Sequence, residues 1–499
     1  MKSCPTRAGT VMRSKTPCTQ LVECGAFDAA TVGVGDAGLI DGAGGIDAVL
    51  AATVQAVIVT TSNRVAFLGI DTAVNKDTLV FRLVPRQGRS FRLGAAGARW
   101  FNARVDVAAR IDPFAPARLG PLTLRNRIIK AATFEGRSPK NVVTDKLIDF
   151  HREVAAGGAG MTTVAYCAVS RDGRSAPGEI VLIPEAVPGL RRLTDAVHAE
   201  GAAACAQVGH AGPVAGAGQR GIAPSRVFSP MAMKVMRTAT LDDIARVTDE
   251  FARAATIAVD SGFDAIELHF GHGYLLSAFM SPKLNRRKDG YGGSTENRAR
   301  FPREVARAVR DAVQDKVALT AKFNMSDGVR GGLEVDESVE IARLLEKDQT
   351  LDALELTGGS SFANPMYLFR GDRPLAEMAD VMPGMLKAGF KIAGRYFLKS
   401  YPFEEAYFLP FARRFRAALT MPLILLGGIN RLDTITGAMS DGFEFVAMAR
   451  ALLREPDLVN RLKSNATTEG ICIHCNKCMP TIYRGTRCVL IEDPAGPRS

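Results

Sequence analysis

The chain has no apolar run long enough to cross a bilayer. Its longest, Ala48 to Thr60, is interrupted by Gln55 and falls short of the roughly 20 residues that a membrane-spanning helix requires. No continuous apolar core follows the basic N-terminus (MKSCPTRAGTVMRSKTPC), so a secretory signal is not indicated and the nine cysteines are expected in a reducing cytoplasm. A run of five like charges is also missing. Although 63 Lys and Arg exceed 52 Asp and Glu by a formal +11, the basic residues are scattered, and neither a nucleic-acid nor a membrane partner is expected. Charged residues at 23% and apolar ones at 47% exclude wholesale disorder and collagen-like repeats.

What is present divides near residue 110. Residues 1–110 hold 13 Lys and Arg against 8 Asp and Glu, with seven arginines between Arg82 and Arg110, and Gly, Ala and Thr dominate Ala26 to Ala73. Little periodicity is visible there, so a poorly structured extension is expected. Gly33 to Gly38 (GVGDAG) fits G-x-G-x-x-G, but CGAFDAAT before it is a poor buried strand, and Gly42, Gly44 and Gly45 fall where a helix should run. It reads as a chance match. No methionine occurs between Met12 and Met161, and a valine start near Val105 or Val107 is an alternative reading of this segment.

From Ile111 onward, short runs rich in β-branched residues alternate with stretches at helical spacing. Eight runs qualify as strands: Arg127 to Ala131, Gly160 to Ala165, Ala202 to Val208, Ala265 to His269, Val317 to Phe323, Ala353 to Thr357, Leu423 to Leu426 and Phe445 to Met448. The alternation implies a parallel sheet, and eight repeats favour a closed (β/α)8 TIM barrel with an insertion, Gly358 to Thr420, between strands 6 and 7. A doubly wound sheet is the second choice. Residues 111–490 would form the barrel, including cysteines 472–488, with 491–499 as a tail.

In such a barrel the active site lies at the C-terminal strand ends, and these are chemically rich. His269 and His272 could both donate hydrogen bonds to one oxygen, and Tyr274 could deliver a proton. Lys322 sits inside the apolar strand VALTAKF, where a buried cation calls for an anionic or electron-rich partner. Gly427-Gly428 and Ala449-Arg450 occupy the usual phosphate position of the fold. Cys472, Cys475, Cys478 and Cys488 are spaced C-x2-C-x2-C-x9-C, four soft ligands suited to a [4Fe–4S] cluster or tetrahedral zinc. His474 is expected to point outward, and Cys4, Cys18, Cys24, Cys167 and Cys205 are ordinary thiols by spacing.

The segment Gly262-Phe263-Asp264-Ala265-Ile266-Glu267-Leu268-His269, followed by His272-Gly273-Tyr274, Ser281-Pro282, Tyr291-Gly292-Gly293-Ser294 and Glu296-Asn297-Arg298, resembles the signature of the old yellow enzyme family of NADH:flavin oxidoreductases. Further likeness lies in LTLRNR at Leu122 to Arg127, Ala223-Pro224-Ser225 and Arg450 with Pro456-Asp457-Leu458. The resemblance implies non-covalent FMN and ping-pong hydride transfer from NAD(P)H to an activated alkene such as an α,β-unsaturated carbonyl, or a similar small electrophile. Backbone at Ala132 and Thr133 would meet the flavin ring and Gln207 its pyrimidine edge. Lys322, where the family usually has Arg, would face N1 and O2. Gly427, Gly428, Ala449 and Arg450 would hold the phosphate, His269 and His272 the substrate oxygen, and Tyr274 would donate the proton. Phe134 and Tyr166 depart from the pattern, where a smaller or more polar residue is usual.

The run CIHCNKC also resembles the cluster-binding motif of the trimethylamine dehydrogenase and 2,4-dienoyl-CoA reductase branch. Its last spacing is shorter, and only 11 residues follow Cys488, so that branch's C-terminal nucleotide-binding domains are expected to be absent. Two other readings stand beside the ene-reductase one: an iron–sulfur flavoprotein that needs a separate redox partner, and a degenerate barrel that acts as a binding module. A homo-oligomer is compatible with each.

Overall fold

Eight parallel strands pair side by side and close on themselves, so the alternation of apolar runs and helical stretches resolves as a (β/α)8 barrel with no open edge. They are β1 (Ile128–Lys130), β2 (Met161–Ala168), β3 (Ala203–Gly209), β4 (Ala265–Phe270), β5 (Ala318–Asn324), β6 (Ala353–Thr357), β7 (Leu423–Leu426) and β8 (Phe445–Met448). Pairing of β1 with both β2 and β8 makes the closure. The computed structural model describes residues 111–216, 221–230, 233–382 and 384–491, together with the backbone of short strands between residues 20 and 85.

The first 109 residues form a unit of their own. Its described strands make a five-stranded antiparallel sheet, in which Arg64–Asn75 pairs with Thr78–Pro85 over the longest stretch. Val65 to Ile70 (VAFLGI) is a continuous run rather than an alternating one, which hid the hairpin from the sequence reading. Gly35 to Gly38 of the glycine run, Cys4, Cys18, Cys24 and residues 492–499 lie outside the described residues.

Period-2 alternation sorts the residues of β4 and β5 into an outer and an inner face. Along β4, Ile266, Leu268 and Phe270 pack outward in the main core, while Ala265, Glu267 and His269 take the opposite face. The same rule sends Leu319, Ala321 and Phe323 of β5 outward and leaves Ala318, Thr320, Lys322 and Asn324 inside. Helices α1 (Asp145–Ala156), α2 (Val187–Ala199), α3 (Leu241–Asp260), α4 (Thr295–Val313) and α5 (Val335–Asp348) cover the outer face. A reciprocal capping box at Thr240 and Asp243 starts α3. No helix among the described residues is long and apolar enough to cross a membrane.

A hairpin of Ala117–Leu119 and Leu122–Leu124 closes the N-terminal end of the barrel. Leu119 and Leu124, fully buried, share a cluster with Ala265, Ala318 and Ala353, the small first residues of β4, β5 and β6. Each leucine contributes about 1.5–3 kcal/mol by burial. Functional groups therefore concentrate at the other end, under the insertion between β6 and β7, which carries the helices Pro365–Leu368, Leu375–Asp380 and Gly384–Phe397.

Candidate active site

His269, the last inward residue of β4, and the loop that follows it bring three aromatic rings together. The His269 ring stacks on Tyr274 with centroids 4.3 Å apart and meets His272 edge-on at 5.2 Å. Tyr166, at the end of β2, closes the group, 5.3 Å from Tyr274. His272 has a left-handed φ of 61°, and Asn324 Oδ1 stabilises that turn by accepting its N–H at 3.2 Å. His272 Nε2 lies 2.9 Å from Thr357 Oγ1.

Electrostatics fix the protonation of the group. Burial pushes His269 well below the ordinary imidazole range, helped by His272 and Lys322, and pushes His272 down to about 3. Both rings are therefore neutral. Gly271 N–H donates to His269 Nδ1 at 3.3 Å, so the His269 proton sits on Nε2 as a donor. Burial and the charge of Glu179 push the Tyr274 phenol up, with Ser175 opposing.

Below these rings the barrel interior holds a charge cluster. Lys322 Nζ is hydrogen-bonded to Glu355 and stands 3.4 Å from Glu267 Oε2. Gln207 Nε2 donates to Glu267 Oε1 at 2.7 Å. Burial, then Glu355, raises the Glu267 carboxyl to about 8, whereas the two carboxylates outweigh burial and raise Lys322. The ammonium thus already has two carboxylate partners, a pairing the sequence reading overlooked. Period 2 along AIEL and ALEL would have found it.

Ala132 and Phe134 pack with Tyr166 and Tyr274 in one apolar cluster, so the loop after β1 faces the aromatic group. Thr133 Oγ1 accepts from Lys130 Nζ at 2.6 Å. Lys130 also lies 3.6 Å from Glu135 Oε1, and His151 of α1 lies 3.8 Å from the same oxygen. Burial lowers Lys130 to about 8 and raises Glu135 to about 7. This second buried set was also missed, because its members come from a strand, a loop and a helix.

At the ends of β7 and β8, Gly427 and Gly428 have φ values of 117° and 78°. A Cβ on either would run into Phe408 or Tyr407, so glycine is required at both. Ala449 precedes the turn of Arg450–Arg454. The Arg450 guanidinium bonds Asn476 and the Arg370 carbonyl, the latter at 2.8 Å, which turns it toward the cysteine segment.

Cys472, Cys475, Cys478 and Cys488 line one small cavity of about 20 Å³ together with Arg450, Arg454 and His474. The His474 ring, expected to point outward, stacks on Phe403 of the insertion at 3.4 Å. Asn476, 1% exposed, fastens the loop by donating to Phe369 O at 2.6 Å and Asp372 O at 3.0 Å. The segment also reaches the loop after β1, where Thr486 N donates to Glu135 O at 2.7 Å.

Asp172, His210 and Glu250 bring ligand-type atoms within 4.8 Å of one another. They make a poor metal site. His210 Nδ1 accepts the Gly212 N–H at 3.1 Å, so Nε2 keeps its proton, and Arg246 bonds Glu250 at 2.6 Å and Asp172 at 3.3 Å.

The sequence profile of the NADH:flavin oxidoreductase / NADH oxidase family matches residues 112–357. The chain is 61% identical over 380 residues to a 4,4'-dithiodibutanoate disulfide reductase of Rhodococcus erythropolis, covering 76% of this chain and 94% of that protein. It belongs to the NADH:flavin oxidoreductase family. A metal reductase of Desulforamulus reducens is 32% identical over 74% of this chain, but the match spans only 52% of that protein's length. In three dimensions the old yellow enzyme homologue of Zymomonas mobilis superposes with a TM-score of 0.56 at 23% identity, over 73% of this chain and 95% of that one.

The flavin that this family implies finds a suitable chemistry at the strand ends. An apolar wall of Ala132, Phe134 and Tyr166 stands on one side and the Gln207 amide is buried within the barrel, matching a ring system with an apolar and a polar edge. Lys322 fits less simply, because its ammonium is already paired.

Proposed function

We propose that this chain is an FMN-dependent oxidoreductase that uses NAD(P)H to reduce a small organic disulfide, with activated alkenes as a second class of acceptor. The likeness to the Rhodococcus disulfide reductase over nearly all of that protein carries the reading. Bound FMN would relay a hydride between NAD(P)H and the acceptor. Ala132, Thr133 and Gln207 would hold the ring, with Gly427, Gly428, Ala449 and the Arg450 backbone at its phosphate. Lys322 would keep the interior charge beside it in balance with Glu267 and Glu355.

The balance is RSSR + NAD(P)H + H⁺ → 2 RSH + NAD(P)⁺, so one sulfur departs as a thiolate that needs stabilising and then a proton. His269 Nε2–H is a neutral donor for that sulfur, and His272 adds a second through Nδ1 when its Nε2 accepts from Thr357. Tyr274, stacked on His269, is the proton donor. The same donors suit an enone oxygen, which keeps the alkene reading alive. Purified protein incubated anaerobically with 4,4'-dithiodibutanoate is expected to release two thiols per NAD(P)H oxidised. NAD(P)H consumption with an enone but none with disulfides would move the assignment to alkenes; a colourless protein that binds no added FMN would overturn both.

A second reading concerns the thiol cavity. Tetrahedral zinc, with Zn–S near 2.3 Å, draws sulfurs to about 3.8 Å apart. The four thiols line one cavity, and the spacing C-x2-C-x2-C resembles a cluster-binding motif, which favours an iron–sulfur cluster. Such a cluster would offer a one-electron route to a separate redox partner. Anaerobic preparations are expected to contain iron and acid-labile sulfide, both lost in Cys472→Ser. Zinc in their place would overturn the cluster.

A further inference from the structure

Tyr274 can act only once unless its proton is replaced, and its immediate neighbours cannot replace it. His269 and His272 are held neutral, with protonation pushed far below neutrality. Lys322 is locked between two carboxylates. The Cys167 thiol on β2 is pushed up by burial and holds its proton. A phenolate left here would also be costly, since burial and a nearby negative charge both oppose it.

The loop after β2 offers another source. The Ser175 hydroxyl faces the Tyr274 phenol and favours its ionised form. Ser175 Oγ also donates to Glu179 Oε1, and Ser175 N donates to Glu179 Oε2 at 2.6 Å. Ser175 thus touches both the Tyr274 phenol and the Glu179 carboxyl. Tyr166 fixes this loop from below by donating to Gly173 O at 3.0 Å, and Ala211 N bonds the same carbonyl at 2.7 Å. Asn141 holds the far end at Pro177 O, 2.8 Å away, where the loop reaches the surface.

We propose that Ser175 and Glu179 form a proton relay that reloads Tyr274 after each turnover. This rests on reading Tyr274 as the proton donor. When Tyr274 has given its phenolic proton to the leaving group, the Ser175 hydroxyl proton passes to the phenolate oxygen. The Glu179 carboxyl proton passes to Ser175 Oγ, and the buried carboxyl regains a proton from solvent by way of the partly exposed stretch Arg174 to Gly178. One proton enters and one leaves, with no change in electrons.

Glu179 suits that task. It is 1% exposed, and burial raises it to about 7 against the opposing bonds from Ser175 and the backbone of Ala176, so it can take up and release a proton near neutral pH. The other groups facing it are Arg174 on its own loop, Tyr166 and Cys167 on β2, and Tyr274 after β4. Arg174 lowers it; the others are uncharged at neutral pH.

Rapid-reaction kinetics on the FMN-loaded, full-length protein separate the half-reactions. Glu179→Gln and Ser175→Ala are expected to leave reduction by NAD(P)H within twofold of the parent. Reoxidation by the disulfide should slow about 10–100-fold, lose its pH dependence near 7 and show an altered solvent isotope effect. Formate should restore part of the rate to Glu179→Ala. Parent-like pH profiles and isotope effects in both variants would overturn the relay. Tyr274→Phe separates the two ideas: full activity there removes the proton-donor reading itself, whereas a slow Tyr274→Phe beside a normal Glu179→Gln removes the relay alone. FMN fluorescence quenching checks that each variant is folded, and Ser175→Ala decides the matter if Glu179→Gln is not.

Discussion

Replacing His269 and His272 together by alanine is expected to slow reoxidation by the acceptor about 10²–10³-fold while FMN binding persists, the scale of losing a preorganised donor to developing negative charge. The two rings are neutral and aimed from one strand end, so they stabilise charge that appears only during reaction. Their ionisation lies far below neutrality, so the parent profile should show no histidine limb between pH 5 and 8. Stopped-flow reoxidation of reduced protein, with phenol titration as a second readout, checks this. Unchanged rates would mean that the oxygen or sulfur is held elsewhere.

Lys322→Met should have the largest effect on stability. It removes the one cation that bonds Glu355 and approaches Glu267 inside the barrel, and stranding a buried carboxylate costs about 3–5 kcal/mol. The sign of the pH dependence follows from Glu267. Its folded-state carboxyl is raised from an ordinary 4.5 to about 8, so its contribution is complete below 4.5 and is lost as pH rises through 8. Without Lys322 the Glu267 carboxyl is raised further, and the deficit should widen with pH. Urea midpoints at pH 6 and pH 8.5 measure it, and Lys322→Met/Glu355→Gln should recover part of the loss. A deficit equal at both pH values would refute the account.

The sequence revealed groups that lie close along the chain. His269, His272 and Tyr274 fall within six residues, and β4 was legible because its apolar period is clean. Lys322 was legible as an oddity within an apolar run. Its partners were not, although Glu267 stood in plain view within the family signature, because pairing across β4, β5 and β6 depends on register. Lys130 with Glu135 and His151, and Glu179 with Tyr274, were hidden because loops and a helix bring them together. Arg450 illustrates the converse: its position at the end of β8 was correctly read, but its side chain follows Asn476, a residue with no motif to announce it.

Asn476 also bears on how the polypeptide is assembled. Its amide satisfies carbonyls of Phe369 and Asp372, residues 107 and 104 positions earlier in the chain. As the protein emerges from the ribosome, those carbonyls wait for a clasp that has not yet been made. Asn476 follows the eighth strand, which ends at Met448, so the insertion above the barrel is fastened only after every barrel strand has been made.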